Sequence, residues 1–376
     1  MLTGDLAASA GGLAASVPGM VNALEDTAGV EVHVLGTRVE GEPHPAGVWG
    51  RRAHAHAQYG PRAFHWAPAL GRTLRRLNPD LVDVQGLWMH SSRVSLAHHR
   101  RTRRPYVVTP RGMLDPWSLA YARWKKRLAA TWFEDAHLRH AACIRATSLL
   151  EAGHVRSYGL RQPIAVVPNG VELPPDRSTP QRASPGRRLL FLSRIHPKKG
   201  LPHLLRAWAA LAHRHRDWEL VLAGPNEVGH TAEMQALATD LGAPRVTWIG
   251  PVEGEAKDAL YRSADLFVLP THAENFGLVV AEALAHGVPV VTTRNAPWDG
   301  LETQRCGWWI ELDDGALREA LAAAMTLGDA ERRAMGSRGR AWMERDFAWP
   351  AVARQLSEVY AWLVGGGRTP DCVLTA

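Results

Sequence analysis

The sequence predicts an α/β protein built from two doubly wound domains, on three observations. Short apolar, β-branched runs alternate with amphipathic stretches along the chain. The runs are uninterrupted by polar residues, as in parallel strands covered by helices on both faces. A proline-rich interval then divides the chain in two, and 376 residues exceed one ordinary core while suiting two.

Taken in order, the candidate strands are residues 30–35, 81–84, 106–109, 165–167, 189–192, 219–223, 245–249, 266–269 and 288–292. The clearest amphipathic helices between them are 201–213, 231–241 and 276–286. Pro174, Pro175, Pro180 and Pro185 fall among Ser, Arg and Gly in residues 173–188, which continue neither a helix nor a central strand and read as a linker. A doubly wound domain opens with a strand leading into a glycine loop, yet only Met1-Leu2 precede Thr3-Gly4-Asp5 and then Gly11-Gly12. Most of the first strand is therefore expected to be missing, leaving that domain without a central strand. No internal repeat of the ~20–50-residue kind is present.

Composition bounds the function. Hydrophobic residues make up 46% and charged residues 22%, a soluble globular balance. No apolar run reaches the ~18 residues that span a bilayer, and no basic segment followed by an apolar core follows Met1. Cys143, Cys306 and Cys372 are odd in number, far apart and never in a CxxC pair, which argues for a reducing, cytoplasmic compartment and against zinc. The formal charge of +7 is uneven: residues 1–150 hold 19 Lys+Arg against 11 Asp+Glu, a net +8, and the rest hold 25 against 26, a net −1. Between Arg93 and Arg127, ten basic residues face one acid, Asp115. Such a field attracts anionic lipid or phosphorylated substrates, or is simply a solvated Arg-rich surface. Nucleic acid is not expected as a partner, because no recognition motif accompanies the charge.

Two segments carry chemistry. The first runs Leu269-Pro-Thr-His-Ala-Glu274-Asn275-Phe276-Gly277 and on through Glu282 to Gly287. A strand enters a loop bearing Glu274, a helix is expected to open near Phe276, and Gly287 is suited to end it. The first turn presents backbone N–H groups, including that of Gly277, to a phosphate. Glu274 and Glu282, eight residues apart, sit before the helix and about two turns inside it. A carboxylate accepts from two sugar hydroxyls at once, which suits hexose and ribose. The second segment is Ser193-Arg194-Ile-His-Pro-Lys198-Lys199-Gly200 after strand 189–192. Arg194 and Lys199 at a strand's carboxyl end can neutralise a diphosphate leaving group.

With these two segments the chain resembles the family-4 retaining glycosyltransferases of the GT-B fold, the "group 1" transferases of bacterial polysaccharide assembly. The resemblance covers Gly11-Gly12, Pro168-Asn169-Gly170-Val171, Ser193 to Gly200, Gly250-Pro251, the Glu274/Glu282 pair and the segment 347–363. It implies two Rossmann-like domains facing a central cleft. Residues 1–173 would form the acceptor-binding domain, completed by a helix at 347–363 that crosses back to it, and 186–345 the nucleotide-sugar domain. By the same resemblance Arg194 and Lys199 would hold the diphosphate, Glu282 the ribose, and Glu274 the transferred sugar. Asn275, Phe276, Gly277 and Gly250 would line the donor, and the Gly11-Gly12 loop would close on its phosphates. Glu274, Arg194 and Lys199 are the catalytic candidates. The reaction implied is transfer from a nucleoside-diphosphate sugar to a glycan or lipid-linked acceptor in cell-surface polysaccharide, including lipopolysaccharide, assembly. It would proceed by front-face departure, with no metal or other cofactor. The basic N-terminal half, read by itself, favours a lipid-linked diphosphate acceptor and peripheral contact with the anionic inner face of the plasma membrane.

One departure stands out. Many relatives carry a histidine where this chain has Arg111, in Pro110-Arg111-Gly112-Met113, and Gln85 replaces another frequent histidine. A protonated guanidinium is no general base, so Arg111 is expected on a donor phosphate or an anionic acceptor. His90 becomes a candidate base or acceptor contact, with a structural histidine as the alternative. His54-Ala-His56, His98-His99 and His213-Arg-His215 lack completing carboxylates or cysteines and read as solvated or helix-surface residues rather than metal ligands. Residues 117–132, with Trp124, Lys125, Lys126 and Arg127, form either an amphipathic helix for anionic membrane or an ordinary helix with its aromatic face inward. Two further readings stay open. A nucleotide-sugar 2-epimerase would interconvert donors without acceptor, and a non-catalytic subunit would bind nucleotide sugar without releasing nucleoside diphosphate.

Overall fold

The structure, a computed structural model, describes residues 1–6, 12–38, 49–175 and 186–375. The chain divides into two compact units, Met1–Gly170 with Trp349–Ala376, and Val171–Ala348. Residues 171–173, read above with the N-terminal half, belong to the second unit because the Val171 N–H donates to the Phe347 carbonyl at 2.8 Å. Of the expected linker, 176–185 lies outside the described residues, and a strand already begins at Arg187.

The first unit is an eight-stranded sheet. Its strands are β1 (Leu2–Asp5), β2 (Val34–Arg38), β3 (Ala53–Ala57), β4 (Val82–Gln85), β5 (Tyr106–Thr109), β6 (Cys143–Ala146) and β7 (Ile164–Val166). They run in the order β7-β6-β5-β4-β1-β2-β3, all parallel, and a short strand Val373–Leu374 adds antiparallel to β7. The expectation of an absent central strand is corrected: β1 lies between β4 and β2, with Leu2 opposite both Val84 and Leu35. Thr3 and Gly4 read as polar loop residues, but the buried centre of a parallel sheet accepts them because the ladder satisfies their backbone. The strand expected at 30–35 begins instead at Val34, because Gly29, at φ +62°, ends the preceding helix Gly12–Ala28.

Two apolar clusters form the first unit's core. In one, Val352, Leu356 and Val359 of the helix Trp349–Gly365 share buried space with Val17, Met20 and Leu24 of the helix Gly12–Ala28. The Trp349 ring fills a slot that only glycines leave open. A Cβ on Gly170 would stand 2.2 Å from it, and one on Gly19 2.4 Å. That gives the Gly170 of the Pro-Asn-Gly-Val turn a packing role.

The second unit is a six-stranded parallel sheet. In chain order β8 is Arg187–Leu192, β9 Trp218–Ala223, β10 Val246–Gly250, β11 Leu266–Leu269, β12 Val290–Thr293 and β13 Gly307–Ile310. The spatial order β10-β9-β8-β11-β12-β13 reverses direction between β8 and β11. Open α/β sheets bind ligands outside the carboxyl ends of strands at such a switch point.

Candidate functional site

Both chemistry-bearing segments converge on that switch point. After β8, His196 caps the short turn Pro197–Lys199, its Nδ1 accepting the Lys198 N–H at 3.0 Å. Gly200 follows at φ +68°, and a Cβ there would lie 1.8 Å from the Pro270 carbonyl oxygen. Only glycine therefore lets this loop press against the end of β11. The contact is stitched by the His272 N–H donating to the Lys198 carbonyl at 2.8 Å and by Thr271 Oγ1 donating to the same oxygen at 3.1 Å. The result brings the buried Lys199 ammonium onto the Glu274 carboxylate.

Glu274 is placed by its own loop. Its N–H donates to the Asn295 carbonyl at 3.0 Å, and Thr293 Oγ1 donates to the Thr271 carbonyl at 2.6 Å, tying the loop to the end of β12. Asn275 is half-buried beside it. The helix opens at Leu278, two residues later than expected, because Gly277 adopts φ +81°, which breaks helical backbone. Phe276 lies in the core, its ring 5.3 Å from Trp298 and 6.0 Å from Phe347, and its carbonyl accepts from Trp298 Nε1 at 2.6 Å. Phe276 thus offers a ligand backbone but no ring.

Glu282 stands one turn inside the helix Leu278–Ala285, not two. Its Oε1 accepts from Lys257 Nζ at 2.5 Å and its Oε2 from the Tyr261 hydroxyl at 2.8 Å. Burial, and then the Glu282 charge, push the Tyr261 hydroxyl well above its ordinary pKa, so it donates at any physiological pH. The far end of the helix is clamped by Arg340, whose Nη1 donates to the Ala285 carbonyl at 2.6 Å. Lys257 and Tyr261 were missed by the sequence reading. Their i, i+4 spacing on the helix Gly254–Ser263 was the available signal, but nothing local says which strand order sets that helix beside Glu282.

Arg194 does not join Lys199. It is half-exposed and bonds both oxygens of Glu227, at 3.0 and 2.9 Å. Glu227 was also missed; it comes from the loop after β9, the neighbour of β8, and pairing order is not local information. Gly250 ends β10 at φ +81°, its carbonyl accepting from the Gly224 N–H at 2.7 Å.

The first unit carries a second polar cluster, at the carboxyl ends of β4 and β5. Arg111, at φ +57°, donates from Nε to Gln85 at 2.8 Å and from Nη1 to Asn169 at 2.5 Å, with Ser16 Oγ at 3.4 Å. Its Nη2 is buried with no hydrogen-bond partner among the described residues. Gln85 in turn donates to Asp83 at 2.6 Å, and Asp83 also accepts the Tyr360 hydroxyl. Burial, followed by the nearby Arg145 charge, lowers the Arg111 guanidinium to about 9, leaving it a cation at neutral pH. His90 sits elsewhere. Its Nδ1 accepts the Ala67 N–H at 3.4 Å and its ring lies edge-on to Phe64 at 5.9 Å. Burial and Arg93 lower its pKa and keep it neutral. Gly12 is the first residue of its helix, and Gly11 lies outside the described residues.

Two histidine readings are corrected. His54 and His56 lie on β3 rather than in solvent or on a helix surface, and His98 is buried, its Nδ1 3.2 Å from Arg101 Nη2. Among the described residues no group of three His, Cys, Asp or Glu is placed to hold a metal ion, and no helix is long and apolar enough to cross a membrane.

Comparison with known proteins adds the following. Residues 186–327 match the family described as glycosyl transferases group 1, and residues 11–170 the glycosyl transferase 4-like domain. A D-inositol 3-phosphate glycosyltransferase of Salinispora tropica is 39% identical over 199 residues, covering 49% of this chain and 40% of that protein. One from Segniliparus rotundus is 33% identical over 240 residues, covering 60% and 53%. The chain spans about half the length of the curated relatives it matches. Among solved structures, sucrose-phosphate synthase from Thermosynechococcus elongatus superposes with TM-score 0.77 at 22% identity, over 97% of this chain and 99% of that one. Anabaena HepE in complex with UDP-glucose gives 0.74 at 18%, over 96% and 98%.

Proposed function

The chain belongs to the group 1 glycosyltransferases and has the GT-B fold, and from that premise we propose that it moves a sugar from a nucleoside-diphosphate donor onto a hydroxyl acceptor, retaining anomeric configuration and using no metal. The observation that carries the reading is the cluster at the second unit's switch point: Lys199 on Glu274, with Glu282 held by Lys257 and Tyr261.

In this mechanism Lys199 keeps its bond to Glu274 and donates its remaining ammonium protons to the diphosphate. Arg194 leaves Glu227 to join it. Exposed ion pairs are worth only ~0–1 kcal/mol, so a doubly charged ligand readily displaces that contact. Each Glu282 oxygen has a lone pair beyond the one used by Lys257 or Tyr261, enough for two ribose hydroxyls. Glu274 contacts the transferred sugar. The bond from the anomeric carbon to the phosphate oxygen breaks, and the acceptor oxygen bonds that carbon from the same face. The acceptor's proton passes to the departing phosphate. The protein's contribution is positioning and stabilisation of charge on the leaving group.

On the acceptor side, Arg111 serves an anionic acceptor through its Nη2, which the side chains now burying it must uncover, since the other guanidinium nitrogens are occupied by Gln85, Asn169 and Ser16. A glycan or lipid-linked acceptor of cell-surface polysaccharide assembly in the cytoplasm fits that demand. A phosphorylated polyol is the second reading, favoured by the names of the curated relatives.

The test is a thermal-shift titration with UDP, GDP, ADP and dTDP on wild type and Glu282→Ala. A ligand that binds only the folded state adds ~2.7 kcal/mol at a hundred times its Kd. The proposal expects one diphosphate to stabilise wild type and the variant to lose that response. No response from any nucleotide overturns it.

A further inference from the structure

Residues of the helices Pro68–Leu77 and His90–Thr102, with Trp66, line a cavity of about 360 Å³ that neither polar cluster described above uses. Its floor is apolar: Leu74 belongs to one of the first unit's two core clusters, and Val94 packs against it. Val82 and Val84 of β4 face that same cluster. Asp83 and Gln85 alternate with them and so point to the other face of the sheet, where Gln85 meets Arg111. The cavity and the Arg111 cluster therefore belong to opposite faces.

The rest of the lining is one-sidedly cationic. Arg75, Arg93 and Arg101 contribute, and no carboxylate does among the described residues. Three guanidinium groups gathered without an acid repel one another and favour an anion among them. The Arg93 guanidinium is steadied 4.6 Å over the Trp132 ring, and Arg101 Nη2 lies 3.2 Å from His98 Nδ1. A guanidinium nitrogen only donates, so His98 Nδ1 accepts and the imidazole proton sits on Nε2. His98 is 3% exposed, and its Nε2 is buried with no hydrogen-bond partner among the described residues. Buried donors are nearly always paired, so an orphan donor on a residue of the cavity wall marks a place for an acceptor.

Trp66 completes the lining and is 44% exposed. The Tyr59 N–H donates to its carbonyl at 2.8 Å, and the two rings meet edge-on at 6.1 Å. An indole held in this way offers an apolar platform to the C–H face of a sugar ring.

We propose that this cavity is a second anion site, taking a phosphorylated monosaccharide with its phosphate on Arg75, Arg101 and the His98 Nε2–H and its ring on Trp66. Arginine forks match phosphate oxygens bidentately, and the imidazole N–H adds a neutral donor. The volume is at the lower end of small-molecule sites, which suits one ring with its phosphate. The site takes no part in the chemistry proposed above and stands if the transferase reading falls.

The test is titration calorimetry of the full chain with glucose 6-phosphate, inorganic phosphate and glucose. Glucose 6-phosphate is expected to bind one-to-one and more tightly than inorganic phosphate, and glucose to give no heat. Arg75→Gln with Arg101→Gln should weaken binding about tenfold or more and leave Tm unchanged, since both side chains are exposed. Trp66→Leu should bring glucose 6-phosphate down to the affinity of inorganic phosphate. Binding that survives the double arginine variant places the phosphate elsewhere, at Arg111 or the diphosphate site, and overturns the proposal. So does the absence of heat from either phosphate at millimolar concentration. Capture by phosphatidylglycerol vesicles through the same two arginines, with no binding of soluble phosphate, would make a lipid headgroup the source of the anion and also overturn it. An unchanged affinity in Trp66→Leu would overturn the assignment of a sugar ring.

Discussion

Replacing Lys199 by methionine tests the centre of the proposed mechanism. Lys199 and Glu274 are both largely shielded from solvent, with side chains 6% and 17% exposed. Removing one member of a buried pair leaves the other charge uncompensated, typically at 3–5 kcal/mol, and the residual exposure of Glu274 puts the expectation at about 3. In a unit of this size each kcal/mol moves Tm by ~2–4 °C, so Lys199→Met should melt roughly 6–12 °C lower. Adding Glu274→Gln removes the stranded charge and should restore most of that loss. Activity should behave differently. If Lys199 stabilises charge on the leaving diphosphate, turnover falls ~10²–10³-fold in the single variant and is not recovered in the double. The assays are scanning calorimetry and acceptor-dependent release of nucleoside diphosphate. Near-wild-type turnover in Lys199→Met would refute the catalytic role, and a double variant as unstable as the single would refute the pairing argument.

Other expectations follow from named contacts. Tyr261→Phe deletes the 2.8 Å hydrogen bond to Glu282, of a class worth ~1.5–3 kcal/mol, and should weaken nucleotide binding about tenfold by calorimetry. Trp349→Ala should cost ~3–5 kcal/mol in urea unfolding, because the ring fills the slot beside Gly19 and Gly170. Gly170→Ala, which drives a Cβ to 2.2 Å from that ring, should cost ~1–3 kcal/mol or more. His98 has its pKa lowered by burial and then by Arg101 and Arg104. The folded state therefore binds fewer protons than the unfolded state just below the ordinary value of 6.5, and this contribution to stability is lost as pH falls through that region. His98→Gln should flatten the fall in Tm between neutral and mildly acidic buffer, and an unchanged slope would remove His98 from that account.

Apolar runs set the fold class without help from tertiary contacts, since a strand buried on both faces admits few polar residues. Strands 106–109, 189–192, 219–223 and 266–269 were visible for that reason, and the structure places strands there. β3 escaped notice because Ala-His-Ala-His-Ala at a sheet edge is only half-buried, and β6 because Cys-Ile-Arg-Ala carries a charge. That arginine is acceptable in the core only because Val167 and Pro168 carbonyls take its protons at 3.2 and 2.8 Å.

The candidate site divides along the same line. Lys199, Glu274, Gly277 and Glu282 were readable because each belongs to a short local pattern of strand, loop, helix and cap. Their partners were not. Glu227, Lys257 and Tyr261 arrive from other elements of the sheet, and which element neighbours which is decided by the strand order β10-β9-β8-β11-β12-β13. The direction of the Trp117–Trp132 face shows the same limit. Helical spacing establishes that the aromatics lie together, but whether they turn toward a core depends on what else packs there. In this chain Phe133 and Glu134 take the inward side, and the tryptophans are left to the surface.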